Sequence, residues 1–167
     1  MIFIGIDPGM SGGIVSLKEK EIFYIGTFKD KTDKDLEMEF VKSQNWTIPK
    51  EPVFCLIENV HSFPGQGVSS TFKFGMNFGV LKGVLIACQI PHEFVSPQKW
   101  QKAMNCLTHG DKNISKAMAQ RLFPLVKVTH ATADALLLAE YCRRTVKQRE
   151  GIVEKENARV EIEMEGI

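Results

Sequence analysis

The sequence predicts an α/β fold: a five-stranded mixed sheet, flanked by helices, in which a three-stranded antiparallel meander continues into parallel strands. Three observations carry that expectation. Residues 2–7, 14–17 and 21–28 form three short apolar runs joined by tight turns, with the length and β-branched content of strands. Residues 53–58 repeat the opening pattern, an apolar run ending in one carboxylate. After them, apolar residues recur at helical steps in several longer stretches, broken by one further short strand at 90–95.

The opening run, Ile2-Phe3-Ile4-Gly5-Ile6-Asp7, is apolar throughout until Asp7, as in a strand buried on both faces. Pro8-Gly9 ends it, since proline has no N–H to donate and glycine accepts positive φ. Asp7 therefore stands where a rigid central strand leaves the core, a place suited to a metal ligand or reacting group. An Asp that merely opens a turn is the plainer reading of the same residue. Gly12-Gly13 supports the return into the second run, and the charged turn at 18–20 leads into the third.

Asp33 can cap a helix over 33–43 with Leu36, Phe40 and Val41 on its apolar side. Residues 46–52 are a loop with two prolines. If the run at 53–58 lies parallel to the first, Asp7 and Glu58 emerge at one edge of the sheet. Two buried carboxylates there repel each other unless one is protonated or a cation stands between them.

Residues 61–70 are rich in Gly, Pro and Ser and read as a flexible loop. A long helix is expected over 71–89. Phe74, Phe78, Leu81, Leu85 and Cys88 form one stripe on it, and Gly75, Gly79 and Gly83 form another. Each helical glycine forgoes roughly 1 kcal/mol against alanine, so the stripe predicts a close neighbour, the sheet or in part a partner subunit.

Ser96-Pro97 reads as N-cap and first residue of a helix carrying Lys99, Trp100 and Lys102. Asp111 can cap a helix over 112–122, with Ile114, Met118 and Leu122 inward and Lys112, Lys116 and Arg121 outward. Thr129 can cap a last helix from His130 to about residue 148, apolar from 131 to 139 except for Asp134. A carboxylate inside a buried helix needs a partner, and His130 lies four residues earlier on the same face. Residues 1–148 thus form the domain, and 149–167 an acidic tail or an edge segment, since 159–165 alternate like a strand.

At 167 residues one domain with a sizeable core is expected, and 44% hydrophobic with 25% charged residues is ordinary for a soluble protein. No run reaches a membrane span and no basic leader precedes residue 2, so a cytoplasmic protein is expected. Cys55, Cys88, Cys106 and Cys142 are too scattered for a zinc site and read as free thiols. The net charge is +1, but residues 99–148 carry nine Lys/Arg against three Asp/Glu. A polyanion would meet that segment, unless it is only a solvated helical face.

Asp7, Glu58, His130 and Asp134 stand out together. Three carboxylates and one histidine suit Mg²⁺ or Mn²⁺, the hard cations of two-metal phosphodiester cleavage, better than zinc.

The order of elements with these acids resembles the ribonuclease H-like fold, and more narrowly the RuvC family of Holliday junction resolvases. The resemblance covers about residues 1–145 and rests on Ile4-Gly5-Ile6-Asp7-Pro8-Gly9, Ile57-Glu58, residues 79–83, residues 97–102, Asp111-Lys112 and residues 130–139. It implies a Mg²⁺-dependent endonuclease, with two ions per site and Mn²⁺ able to substitute. Asp7 would bridge the ions; Glu58, Asp134 and His130 would complete their coordination. Lys99, Lys102, Lys112 and Lys116 would meet phosphates, Lys112 matching the family's lysine beside the scissile one. It further implies a homodimer that nicks two strands of a four-way junction symmetrically, in a bacterial cell or a phage-infected host.

Two departures stand out. The family's last motif has Asp or His three residues before the final Asp, where this chain has Ala131; His130 is one residue further back. On a helix the two positions fall about 60° and 40° to either side of Asp134, so both can reach one site. His61 stands where the family carries an aromatic that stacks on an unpaired base, and Phe63 is the substitute. Rival readings are an actin-like sugar kinase, a module that binds branched DNA without cutting, and a nuclease of relaxed specificity for forks, flaps or replication intermediates. Pro8 and the short chain speak against the kinase; cleavage in Mg²⁺ against binding in EDTA separates the others.

Overall fold

The computed structural model describes residues 1–44, 51–61, 65 and 67–165, those from 152 onward through their backbone. Five strands form one sheet: β1 (Ile2–Asp7), β2 (Gly13–Lys18), β3 (Glu21–Thr27), β4 (Val53–Glu58) and β5 (His92–Val95). Their order is β3-β2-β1-β4-β5, antiparallel from β3 to β1 and parallel from β1 to β5. This is the expected meander and its parallel extension. The described helices are α1 (Asp33–Ser43), α2 (Val68–Ala87), α3 (Pro97–Ala103), α4 (Lys112–Leu122) and α5 (His130–Glu165).

β1 is central and buried on both faces, which is why its sequence is continuously apolar. Ile2, Ile4 and Ile6 share one core with Ile14, Cys55, Ile57, Phe40 of α1, and Leu81 and Leu85 of α2. Phe3 faces the other core, with Val15, Leu17, Leu56, Trp100, Ala119 and the Ala- and Leu-rich face of α5. Gly5 lets α5 lie against the sheet: a Cβ there would stand 2.2 Å from the Ala139 nitrogen.

Several local expectations are corrected. Thr32, not Asp33, caps α1, because only Thr32 has an acid three residues on to complete a capping box: the Asp35 N–H donates to the Thr32 hydroxyl, and the Thr32 N–H to the Asp35 carboxylate. α4 turns Ser115 and Ala119 inward and leaves Ile114 exposed; small residues let it close on the alanine-rich α5. α5 continues to Glu165, through a segment whose alternation predicted a strand or frayed end; its Glu, Lys, Ala and Arg are good helix formers. Among the described residues the glycine stripe of α2 has no close neighbour: a Cβ at Gly75, Gly79 or Gly83 would meet nothing within 4 Å beyond its own stretch of helix. All four cysteines are free, and Cys55, Cys106 and Cys142 are buried. No described helix is long and apolar enough to cross a membrane.

Candidate active site

The sheet itself brings Asp7 and Glu58 together. Ile6 pairs with Ile57 across parallel β1 and β4, so the two acids are the next residues of neighbouring strands, at one edge. Asp134 arrives from α5. Gly13 pairs with Asp7 on the other side, and a Cβ on Gly13 would stand 3.1 Å from the Ala131 carbonyl oxygen. The first turn of α5 therefore ends beside Asp7, with Asp134 one turn further on.

The turn after β1 is tightly built. The Gly9 N–H donates to Asp7 Oδ1 at 3.0 Å, and the Gly12 N–H to the Gly9 carbonyl at 2.8 Å. A Cβ on Gly12 would stand 2.9 Å from Asp7 Oδ2, so this position needs glycine to leave the carboxylate in place. Asp7 thus opens a turn and also lies within electrostatic reach of the two other acids. Asn77 of α2 braces the same turn, its Nδ2 donating to the Pro8 carbonyl at 2.9 Å.

All three carboxyls are pushed up from their ordinary range, first by burial. Asp134 adds to the rise in Asp7, against the Gly9 N–H and Lys112. Glu58 rises to about 7, through burial, Asp7 and Asp134, against the Trp100 indole and Lys112. Asp134 is drawn down by Ser115, Lys112 and His130, but burial outweighs them. The expected repulsion between buried carboxylates is therefore present, and among the described residues Lys112 is within electrostatic reach of all three.

An implied divalent cation fits this donor chemistry. The oxygens are hard ligands in a desolvated region, and Asp134 Oδ1 is buried with no hydrogen-bond partner among the described residues. Among the described residues, no three His, Cys, Asp or Glu side chains already stand close enough to hold one ion.

His130, the first residue of α5, is exposed. Lys112 begins α4, held by the Asp111 cap, whose Oδ1 accepts from the Asn113 N–H at 2.9 Å. Lys99 and Lys102 are exposed on α3, and Lys116 is half-buried on α4. Lys99 also stands near enough to Glu93 to draw that carboxyl down, after Arg149. His61 is exposed beyond β4, and Phe63 lies outside the described residues.

Sequence reasoning missed two residues. Trp100 is wholly buried, and its Nε1 donates to Glu58 Oε1 at 2.8 Å. A tryptophan flanked by lysines on a seven-residue helix marks the inward face, but nothing in the sequence says which acid it meets. Asn77 had no signal at all, since its partner lies across the fold.

No family model and no curated protein sequence matches the chain. Solved structures do. Thermus thermophilus RuvC in complex with a Holliday junction substrate matches with a TM-score of 0.64, over 90% of this chain and 97% of that one, at 15% identity. The chain has a RuvC-like fold. A second T. thermophilus RuvC structure matches with a TM-score of 0.60 and 18% identity, over the same shares of both chains. The ribonuclease H-like architecture expected from the strand order and the three acids is thus the one observed.

Proposed function

We propose that this chain is a divalent-metal-dependent endonuclease that resolves four-way DNA junctions by paired symmetric nicks. The observation that carries this reading is that Asp7 and Glu58 end neighbouring parallel strands within electrostatic reach of Asp134, with Lys112 in reach of all three. These acids, with His130, would hold two Mg²⁺ ions, for which Mn²⁺ substitutes. Bound there, the metal supplies an activated water and neutralises charge on the phosphodiester oxygens.

The chain's own residues do the rest. The strand ends hold Asp7 and Glu58 rigidly, and the Gly9 N–H and Trp100 indole orient one oxygen of each. Lys112 offers a positive partner to a phosphate at the same edge. Lys99, Lys102, Lys116 and His61 would carry the flanking backbone, and such contacts position DNA without reading its sequence. Phe63 would stack on a base exposed at the crossover, and Phe63→Ala should then slow cutting of a junction more than of a flapped duplex. The Holliday junction bound by T. thermophilus RuvC, whose fold this chain shares, supports a branched substrate.

Two opposed nicks need two sites, hence a homodimer. α2 supports one: Val68, Phe72, Met76 and Ile86 are exposed along it, beside its three open glycines.

The test is a nicking assay on a four-way junction beside a matched duplex, in Mg²⁺ and in EDTA. Symmetric nicks in the junction, dependent on Mg²⁺, are expected. Equal cutting of forks and flaps would relax the specificity; binding without cutting in Mg²⁺ would make the chain a branched-DNA binding module.

A further inference from the structure

We propose that Trp100 is a positioning residue for the metal site, its indole N–H fixing one oxygen of Glu58 so that the other is held for the cation. The inference rests on Glu58 as a metal ligand and names the group that orients it.

The geometry is specific. Trp100 has no exposed surface, and Nε1 lies 2.8 Å from Glu58 Oε1. An indole N–H is a donor only: it can neither bind a cation nor take a proton from Glu58. Its one available effect is on the carboxylate's orientation and charge. The ring itself is well fixed. Glu58 pairs with Val95 across β4 and β5, the Asn59 N–H donates to the Val95 carbonyl at 2.7 Å, and α3 begins two residues later at Pro97. The Trp100 backbone N–H donates to the Ser96 carbonyl at 3.3 Å, and its side chain belongs to the buried core that also holds Met104, Cys106 and Ala133. The acid and its donor thus hang from adjacent strands, joined by a short, rigid link. A carboxylate with one oxygen tied in this way has lost the χ3 freedom it would otherwise lose on binding metal. Groups that orient a ligand in this manner typically contribute about 10–100-fold in metal affinity.

The chain offers its own probe. Its only two tryptophans are Trp46 and Trp100, so in a Trp46→Phe protein the emission reports on Trp100 alone. Mg²⁺ titrated into that protein should change the emission saturably, at the concentrations where calorimetry shows binding, and Glu58→Gln should remove the change. Trp100→Phe keeps an aromatic ring but deletes the donor. It should bind Mg²⁺ at least about tenfold more weakly in calorimetry and need correspondingly more Mg²⁺ for half-maximal nicking.

A Trp100 emission unmoved by Mg²⁺ that calorimetry shows to be bound would overturn the inference. So would a folded Trp100→Phe protein with wild-type Mg²⁺ affinity. If Trp100→Phe does not fold, the emission titration decides alone. Mg²⁺ binding that depends on Trp100 in a chain that cuts no DNA would sink the nuclease reading and leave this inference standing. No Mg²⁺ binding at all would remove both.

Discussion

Asn77 Nδ2 donates to the carbonyl oxygen of Pro8 at 2.9 Å, tying the middle of α2 to the turn that follows Asp7. α2 is the helix with an open apolar face, so the bond links the proposed subunit contact to a proposed metal ligand. Asn77→Ala removes one hydrogen bond, which costs roughly 1 kcal/mol and about 2–4 °C of melting temperature in a domain of this size. The nicking rate should fall further than that suggests, by about tenfold or more, because a displaced turn misplaces Asp7. An unchanged rate beside the same thermal loss would show that the Gly9 N–H alone holds the carboxylate.

Asp7→Asn should abolish cleavage and leave junction binding intact. Burial and the charge of Asp134 both disfavour the ionised Asp7 carboxylate, so a neutral amide relieves repulsion. Thermal stability in EDTA should therefore hold or rise, while the stabilisation given by Mg²⁺ disappears. Wild-type cutting by this variant would remove Asp7 from the proposed site.

Glu58 makes metal-free stability depend on pH in an unusual direction. Its carboxyl ionises at 4.5 in the unfolded chain and is pushed up to about 7 in the fold. A raised folded value means that the stabilising form is the protonated one. That contribution is complete below pH 4.5 and is lost as the pH rises through about 7; it is at most about 3 kcal/mol. Asp35 and Glu93, whose carboxyls are drawn down by the Thr32 cap and by Arg149, act oppositely and lower, losing their contribution as the pH falls into the acid range. Denaturant unfolding in EDTA should thus weaken from pH 5 to pH 7.5. Glu58→Gln should reduce the trend to what Asp7 and Asp134, also raised by burial, contribute, and saturating Mg²⁺ should reverse it.

The strand order and the meeting of Asp7 with Glu58 were legible because a strand buried on both faces writes itself as an unbroken apolar run, and the acid that ends each run marks the same edge twice. Asp134 was legible as a charge in an otherwise apolar helix. Relations that no periodicity encodes were not. The indole of Trp100 and the amide of Asn77 reach partners on other elements, and a short helix or a glycine-striped one does not announce which side chain it sends inward. The rotation of α4 was misread for a related reason: packing against the alanines of α5 favours Ser115 and Ala119 over the larger Ile114. The end of α5 was misread because a period of two and a period of 3.6 overlap over so few residues.

Lys112 draws down the carboxyls of Asp7, Glu58 and Asp134 together. Removing it lets all three rise further, so the limb of the pH–rate profile that reports their ionisation should move to higher pH in Lys112→Ala. Catalysis should weaken more than junction binding. Lys99→Ala and Lys102→Ala should instead weaken binding, each lowering the slope of log affinity against log salt by about one. An unmoved profile in Lys112→Ala would place that lysine among the ordinary phosphate contacts.

Gly79 separates the subunit from its proposed dimer. Among the described residues, a Cβ there meets nothing within 4 Å beyond its own stretch of helix, and the position lies inside α2, where glycine forgoes roughly 1 kcal/mol against better helix formers. Within one subunit, Gly79→Leu should therefore hold or raise stability. If a second copy packs its backbone against the glycines, with Phe72 and Met76 beside them, the same leucine must push the two helices apart. Sedimentation at working concentration should then show the wild type as a dimer and Gly79→Leu as a monomer of undiminished unfolding free energy. On a four-way junction the variant should give single nicks where the wild type gives paired ones. A Gly79→Leu dimer as tight as wild type would move the subunit contact off this face of α2.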